Sequence, residues 1–514
     1  MKTKISQIVI SFILGASSCF VSFGQTITEQ DYAKLSRLFA EDVRLMGDTR
    51  ESYAIYKSMR LRTPFSHSRV LTLKDFSINA SVDKVLVIVN SSIYSQLSDK
   101  INRYSYDIHY VYGGEVIMET VTGGDHTDIK NLILTNQTNL NGVVLIGDIP
   151  AAWFEISNDH DEYGYASWPC DLYYMDVNGT WSDINNNGIY DSHSGYVQPE
   201  IFVGRISTAN MGTLLSEKAG LERYLDKNHK FWIGHTDVNK KFGLSYTDKD
   251  WVNDYNNFKT SIRELYGTTK YDSVSFGNPL FGKTDYLSRL RNDRYEFIQL
   301  ACHASWQFLG MTGGGIYSNE IFNNGTEAIG YNLFCCGACN WTDAAPNSSQ
   351  GFLAGSHIYN AKNSSLVVVG STKTGSMLVF SSFYVPLGQG KTIGESLKLW
   401  WTTAIYSSFP QTATNFYISW YYGMSIIGDP MVNFYHCMNN RCVSQVTLNS
   451  FDNLNSTSYR YIITKDKITA NNYVIPQNKH VMLYSNEVIL NAGFECPLGA
   501  TLEISNEGCK SNCP

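Results

Sequence analysis

The sequence predicts an α/β protein with a mostly parallel sheet flanked by helices, followed by a small all-β C-terminal region. Three observations predict this. Short β-branched runs alternate with helical stretches from Lys84 onward. Two later apolar runs each end in a reactive side chain, and short Asn- and Gly-punctuated segments follow residue 435. Strands separated by helices need crossover connections, and crossovers make the strands parallel.

The chain opens with Lys2 and Lys4, an apolar stretch over residues 8–16 and small residues up to Gly24. That order is an export signal, residues 1–24, with cleavage before Gln25 and a mature protein outside the cytoplasm. The apolar stretch is too short to span a bilayer. Residues 25–80 form an N-terminal segment with an amphipathic helix over 29–45, serving either as a pro-segment or as a cap on the sheet. The alternation then begins: strand 85–89, helix 93–104, strand 108–112, helix 128–134 and strand 143–147. Residues 151–199, rich in Asp, Asn, Tyr and Gly, read as an elaborated loop. Strand 201–205 and helix 211–227 complete a first α/β set (about 81–235). A second set (about 236–435) runs from Phe242 to a helix over 392–401. In residues 436–514, Ile468, Val474, Val481, Val488, Phe494 and Ala500 recur every six or seven positions, the spacing of stacked β rungs.

The net charge of −7 becomes −9 once Lys2 and Lys4 are removed. This balance gives no electrostatic ground for nucleic acid as a partner. Among the eleven cysteines, Cys437, Cys442, Cys496, Cys509 and Cys513 suit disulfides in an oxidising compartment. Cys302, Cys335, Cys336 and Cys339 instead sit inside central apolar runs.

Those runs carry the chemistry. Residues 297–302 lead into His303, and residues 331–338 lead into Cys339. In a parallel α/β sheet, reactive groups gather at the carboxyl ends of strands. A thiol needs only deprotonation to attack a carbonyl, and an imidazole can move that proton. The backbone N–H groups just after each strand, at Ala304 and Cys339, are available to an oxyanion. Trp306 and Trp341, one just past each run, are candidates for the walls of a substrate cleft. Cys336-Gly337-Ala338-Cys339 also reads as a C-x-x-C pair, which would suit a thiol oxidoreductase. Separately, Asp183, Asn185, Asn187, the Ile189 carbonyl and Asp191 place oxygens at alternate positions around Gly188. That pattern suits Ca²⁺ in a structural role.

The runs Leu300-Ala301-Cys302-His303-Ala304-Ser305 and Gly337-Ala338-Cys339-Asn340 resemble the His and Cys blocks of the gingipain family, within the caspase-like group of cysteine peptidases. Residues 199–205, the Val-rich residues 365–371, Gly394-Glu395-Ser396 and Gly428-Asp429-Pro430 resemble further landmarks of that family in the same order. The similarity spans roughly residues 84–434. It implies a caspase-like core and an exported endopeptidase acting on protein or peptide substrates, with no cofactor for catalysis. Cys339 would form a thioester, His303 would protonate the leaving amine, and Glu200 would orient the histidine. The family usually has Gly where this chain has Ala304. If that position needs φ > 0, Ala costs roughly 1 kcal/mol, which leaves a catalytically inactive surface binding protein as the alternative.

Overall fold

The structure, a computed structural model, describes residues 50–60, 63–74, 83–109, 113–160, 164–236, 242–343, 348–362, 364–406, 415–434, 442–449 and 459–509. The export signal, the helix expected over 29–45, Cys437 and Cys513 lie outside them. Among the described residues no helix is long and apolar enough to cross a membrane.

The core is one eleven-stranded sheet. Its strands are β1 (Ser66–Leu73), β2 (Lys84–Asn90), β3 (Glu115–Thr122), β4 (Leu140–Ile146), β5 (Phe202–Ile206), β6 (Gly243–Thr247), β7 (Tyr271–Ser275), β8 (Phe297–Ala301), β9 (Gly330–Phe334), β10 (Val367–Ser371) and β11 (Met424–Gly428). Their spatial order is 1-3-2-4-5-11-10-9-8-6-7. β3, β2, β4 and β5 are mutually parallel, as are β10, β9, β8, β6 and β7. β1 adds an antiparallel edge beside β3, and β11 runs antiparallel to β10. The expected α/β class with a mostly parallel sheet is what the chain forms. Residues 85–89 are buried on both faces, which is why they read as an unbroken apolar run and not as an alternation.

Helices cover both faces. Asn90 caps α1 (Ser91–Asp107) by accepting the Ser92 N–H. A capping box of Asp125 and Asp128 starts α2 (His126–Thr135), satisfying N–H groups that have no partner within the helix. One expectation is corrected here. Of the strand read over 108–112, Ile108 and His109 continue the helix beyond Asp107, residues 110–112 lie outside the described residues, and β3 begins at Glu115. Tyr104 and Tyr106 are buried against the sheet from that last helical turn, so packing overrides their β propensity. Residues 50–59 form a further helix, and β1 holds the following segment in the sheet through its register with β3.

The two halves of the sheet meet where β5 touches β11 at one pair, Arg205 and Ile427. Buried side chains stitch this seam. The Asp429 carboxylate accepts from Tyr104 Oη (2.7 Å), Asn228 Nδ2 (2.8 Å) and Trp232 Nε1 (3.2 Å). The C-terminal region forms two three-stranded parallel sheets, Gln445–Leu448 with Lys467–Ala470 and Glu487–Leu490, and Tyr459–Ile463 with His480–Tyr484 and Thr501–Ser505. These are stacked rungs with their own apolar interior, including Ile468 and Val481. A disulfide joins Cys442 to Cys509 across 67 positions, whereas Cys496 is an exposed free thiol.

Candidate active site

β8 and β9 are adjacent and parallel, with Ala301 opposite Phe334. The register continues past the strand ends. The Cys302 N–H donates to the Phe334 carbonyl (3.3 Å), and the Cys302 and Cys335 sulfurs lie 3.7 Å apart. His303 and Cys336 are the next residues along the chain after this pair, and Cys336 opens the turn that follows β9.

Side chains alternate between sheet faces, and ring contacts identify which face each residue takes. Phe334 packs on Trp251 (centroids 5.0 Å apart), and so does the His303 ring (5.5 Å). Phe334 and His303 therefore share the face covered by Trp251. Leu333, Cys302 and Cys335 share the other.

His303 was expected to be oriented by Glu200, and that expectation is corrected. His303 Nε2 lies 3.2 Å from Asp250 Oδ2. Asp250 belongs to a 3₁₀ segment, Lys249–Asp254, that follows β6, the strand next to β8. The Asp248 carboxylate fixes the start of that segment, accepting the Lys249 and Thr312 N–H groups at 2.6 and 2.9 Å. Glu200 instead precedes β5, which stands four strand spacings from β8 in the sheet order, or roughly 19 Å. Its carboxylate accepts from the Val177 N–H (2.8 Å) and Asn178 Nδ2 (2.6 Å), and burial raises its pKa. The sequence signal for Asp250 was thin: one carboxylate just past the strand end at Thr247, in a region with three other aspartates nearby.

Cys339 follows the turn after β9, at the same rim of the sheet as His303. A Cβ built on Gly370 would sit 3.0 Å from Cys339 Sγ and 3.6 Å from Leu333 Cβ. The thiol therefore lies on the Leu333–Cys335 face, opposite His303, and Gly370 is glycine because the sulfur occupies that space. The Cys339 thiol is fully buried, and burial pushes its pKa well up, with the Cys335 thiol adding to the rise. Its N–H donates to the Ser371 carbonyl (2.9 Å), so that group is already engaged and does not face an oxyanion. The turn that carries it is held by the strand-end residues of β10. The Gly337 N–H donates to the Lys373 carbonyl (2.9 Å), and Gly337 has φ +61°.

Ala304 remains suited to an oxyanion. The Gly310 N–H donates to the His303 carbonyl (2.7 Å), which makes Ala304–Leu309 the non-hydrogen-bonded pair of its short ladder and turns the Ala304 N–H away from that ladder. Ala304 is extended and is not among the positive-φ residues, so the strain anticipated from replacing glycine does not arise. Trp306 is partly exposed. Trp341 is 6% exposed beneath the Arg205 guanidinium, which lies 4.4 Å from its ring centroid.

In the expected calcium turn, the Asp183 carboxylate accepts the Asn187 (3.1 Å) and Gly188 (2.8 Å) N–H groups, and Asn187 Oδ1 accepts the Ile189 N–H (2.8 Å). Asp191 Oδ1 accepts the Ile184 N–H (2.9 Å). The sequence reading missed Glu155, a 4% exposed carboxylate in a separate strand, Trp153–Ile156. It faces this turn and meets the side-chain amides of Asn185 and Asn187.

No family model matches the chain, and no curated protein matches it. Among solved structures it is similar to the Arg-specific cysteine proteinase gingipain R (RgpB), at 12% identity over 73% of this chain and 84% of that one, with a TM-score of 0.49. It is also similar to a complex of the pro- and mature domains of RgpB from Porphyromonas gingivalis (13% identity, 72% and 84% covered, TM-score 0.49). A structure described as a protease gives 14% identity, 70% and 80% coverage and a TM-score of 0.46.

Proposed function

We propose that the chain is an exported cysteine-type endopeptidase in which Cys336, not Cys339, is the nucleophile and His303 is the acid–base partner. The observation that supports this reading is that β8 and β9 are adjacent and parallel, with the Cys302 and Cys335 sulfurs 3.7 Å apart one residue before His303 and Cys336. The Cys336 thiolate attacks the scissile carbonyl, and the Ala304 N–H donates to the oxyanion. The His303 imidazolium gives its proton to the leaving amine as the C–N bond breaks, leaving a thioester. A water then loses a proton to His303 and attacks the thioester, releasing the acid and restoring the thiolate and the imidazolium. Asp250 holds the imidazole in place and offsets its positive charge. The oxidoreductase alternative loses support because the Cys339 sulfur lies over Gly370, away from the Trp251 face.

The test is covalent labelling with peptidyl acyloxymethyl ketones that differ in their P1 residue, mapped by mass spectrometry. The peptidase reading expects a P1-dependent adduct on Cys336 that is lost in His303→Ala. An adduct on Cys339 would overturn the assignment. No adduct in folded protein across a broad panel would favour the inactive binding protein.

For the 183–191 turn we propose a structural Ca²⁺ held by Asp183, Asn185, Asn187, the Ile189 carbonyl and Asp191, with Glu155 as a further oxygen donor. The donor set is all oxygen, as a hard cation needs. Among the described residues, the hydrogen-bond partners of buried Glu155 are neutral: Asn185, Asn187 and Tyr165. Rotating either amide by 180° presents its oxygen instead. Titration calorimetry with Ca²⁺ should show one saturable site that is lost in both Asp183→Ala and Glu155→Gln. Unchanged binding in Glu155→Gln would remove Glu155 from the set.

A further inference from the structure

Two thiols lie directly beneath the proposed reacting residues and take no part in the chemistry above. Cys302 precedes His303, and Cys335 precedes Cys336. Both are fully buried, and neither is in a disulfide. Their sulfurs are 3.7 Å apart, on the sheet face opposite Trp251. The β8–β9 register makes them direct cross-strand neighbours. Neighbouring strands stand about 4.8 Å apart, inside the span of roughly 4.4–6.8 Å between α-carbons that a disulfide bridges. Other thiol pairs at this site fit less well. Cys336 stands in the turn after β9, beyond the strand register, and Cys339 Sγ is lodged over Gly370.

We propose that Cys302 and Cys335 form an oxidative modification site, a reversible cross-strand disulfide that closes when the protein meets a small peroxide. The Cys302 thiolate attacks one peroxide oxygen. An S–O bond forms, the O–O bond breaks, and hydroxide leaves to be protonated to water. Cys335, losing its proton, then attacks the sulfenic sulfur. The S–S bond forms, the S–O bond breaks, and a second water leaves. Two thiols are oxidised by two electrons, and one hydrogen peroxide is reduced to two waters. A peroxide is small enough to reach a buried pair during strand-end breathing, where a bulky disulfide reagent is not. Closure draws the sulfurs from 3.7 Å to about 2.05 Å. The strand ends must absorb that contraction one residue before His303 and Cys336, so the bond acts on how those two groups face each other. This second consequence rests on the peptidase reading, whereas formation of the bond does not.

The experiment separates the two. Full-length Cys336→Ser protein, which lacks the proposed nucleophile, is exposed to hydrogen peroxide, unfolded, alkylated and mapped by mass spectrometry. We expect a peptide linking Cys302 to Cys335, two hydrogens lighter than its separate parts and split by dithiothreitol. Recovery of both cysteines alkylated, or a link that uses Cys339 instead, would overturn the proposal. Unmutated protein is then treated with peroxide and labelled with the acyloxymethyl ketone before and after dithiothreitol. A reversible loss of labelling rate of about 10-fold or more is expected, and it should disappear in both Cys302→Ala and Cys335→Ala. If the link forms but the rate is unchanged, the claimed effect on the site is wrong. If no variant labels under reducing conditions, the peptidase reading fails while the disulfide stands.

Discussion

Replacing Lys373 with Met should be among the most damaging single changes in the molecule. The Lys373 ammonium lies 2.8 and 3.1 Å from the two Asp159 oxygens and 2.8 Å from the Ser419 carbonyl. Both side chains of the pair are 0% exposed. At an effective dielectric of about 20, the gross attraction at that distance is about 6 kcal/mol. What a substitution exposes is the cost of leaving the partner charge buried and alone, about 3–5 kcal/mol. Lys373→Met and Asp159→Asn should each lower unfolding stability by about that much, and the double variant should lose about 3 kcal/mol less than the sum. Urea unfolding followed by tryptophan fluorescence measures all four proteins. A Lys373→Met protein within about 1 kcal/mol of the parent, or strictly additive losses, would refute the reasoning. The same change should slow labelling at Cys336, because the Lys373 carbonyl holds the Gly337 N–H.

Three further outcomes follow. Asp250→Asn should slow acyloxymethyl ketone labelling by about 10- to 100-fold while leaving the urea midpoint nearly unchanged, since Asp250 is 33% exposed. Burial holds the His357 pKa at about 4, against 6.5 for the free side chain. The unfolded chain thus takes up that proton first, and stability present above pH 6.5 drains away as pH falls toward 4, by about 3 kcal/mol in all. Urea midpoints between pH 4 and 7 should show this slope, flattened in His357→Gln. Cys509→Ser opens a loop of 67 residues and should cost the C-terminal β region up to about 4 kcal/mol, read as faster proteolysis within 442–509 and an unchanged core.

The sheet was legible because its strands are buried on both faces. The runs at 85–89 and 143–147 show this as continuous apolar sequence, while 297–301 and 330–334 each carry one buried amide, Gln299 and Asn332. The run at 108–112 looked the same, but Ile108 and His109 continue a helix, because apolar and aromatic side chains pack against a sheet as readily from a helix as from a strand. His303 was legible as the first polar side chain after an apolar run. The thiol we propose as its partner was not. Three cysteines crowd one turn, and the choice among them depends on which sheet face each takes, a property fixed by pairing with a strand over thirty residues away. Asp250 and Glu155 were missed for the same reason, since each reaches its site from a different segment of chain.

The seam between the half-sheets has a mechanical meaning. A sheet carries load through its backbone ladder, and here the ladder thins to one rung at Arg205 and Ile427. Asp429 and its three side-chain donors bear the remainder, like rivets across a joint. Under tension, or in rising denaturant, the plate should crack along that line into two intact panels before either panel frays. Proton-exchange rates would record it as early opening confined to β5 and β11.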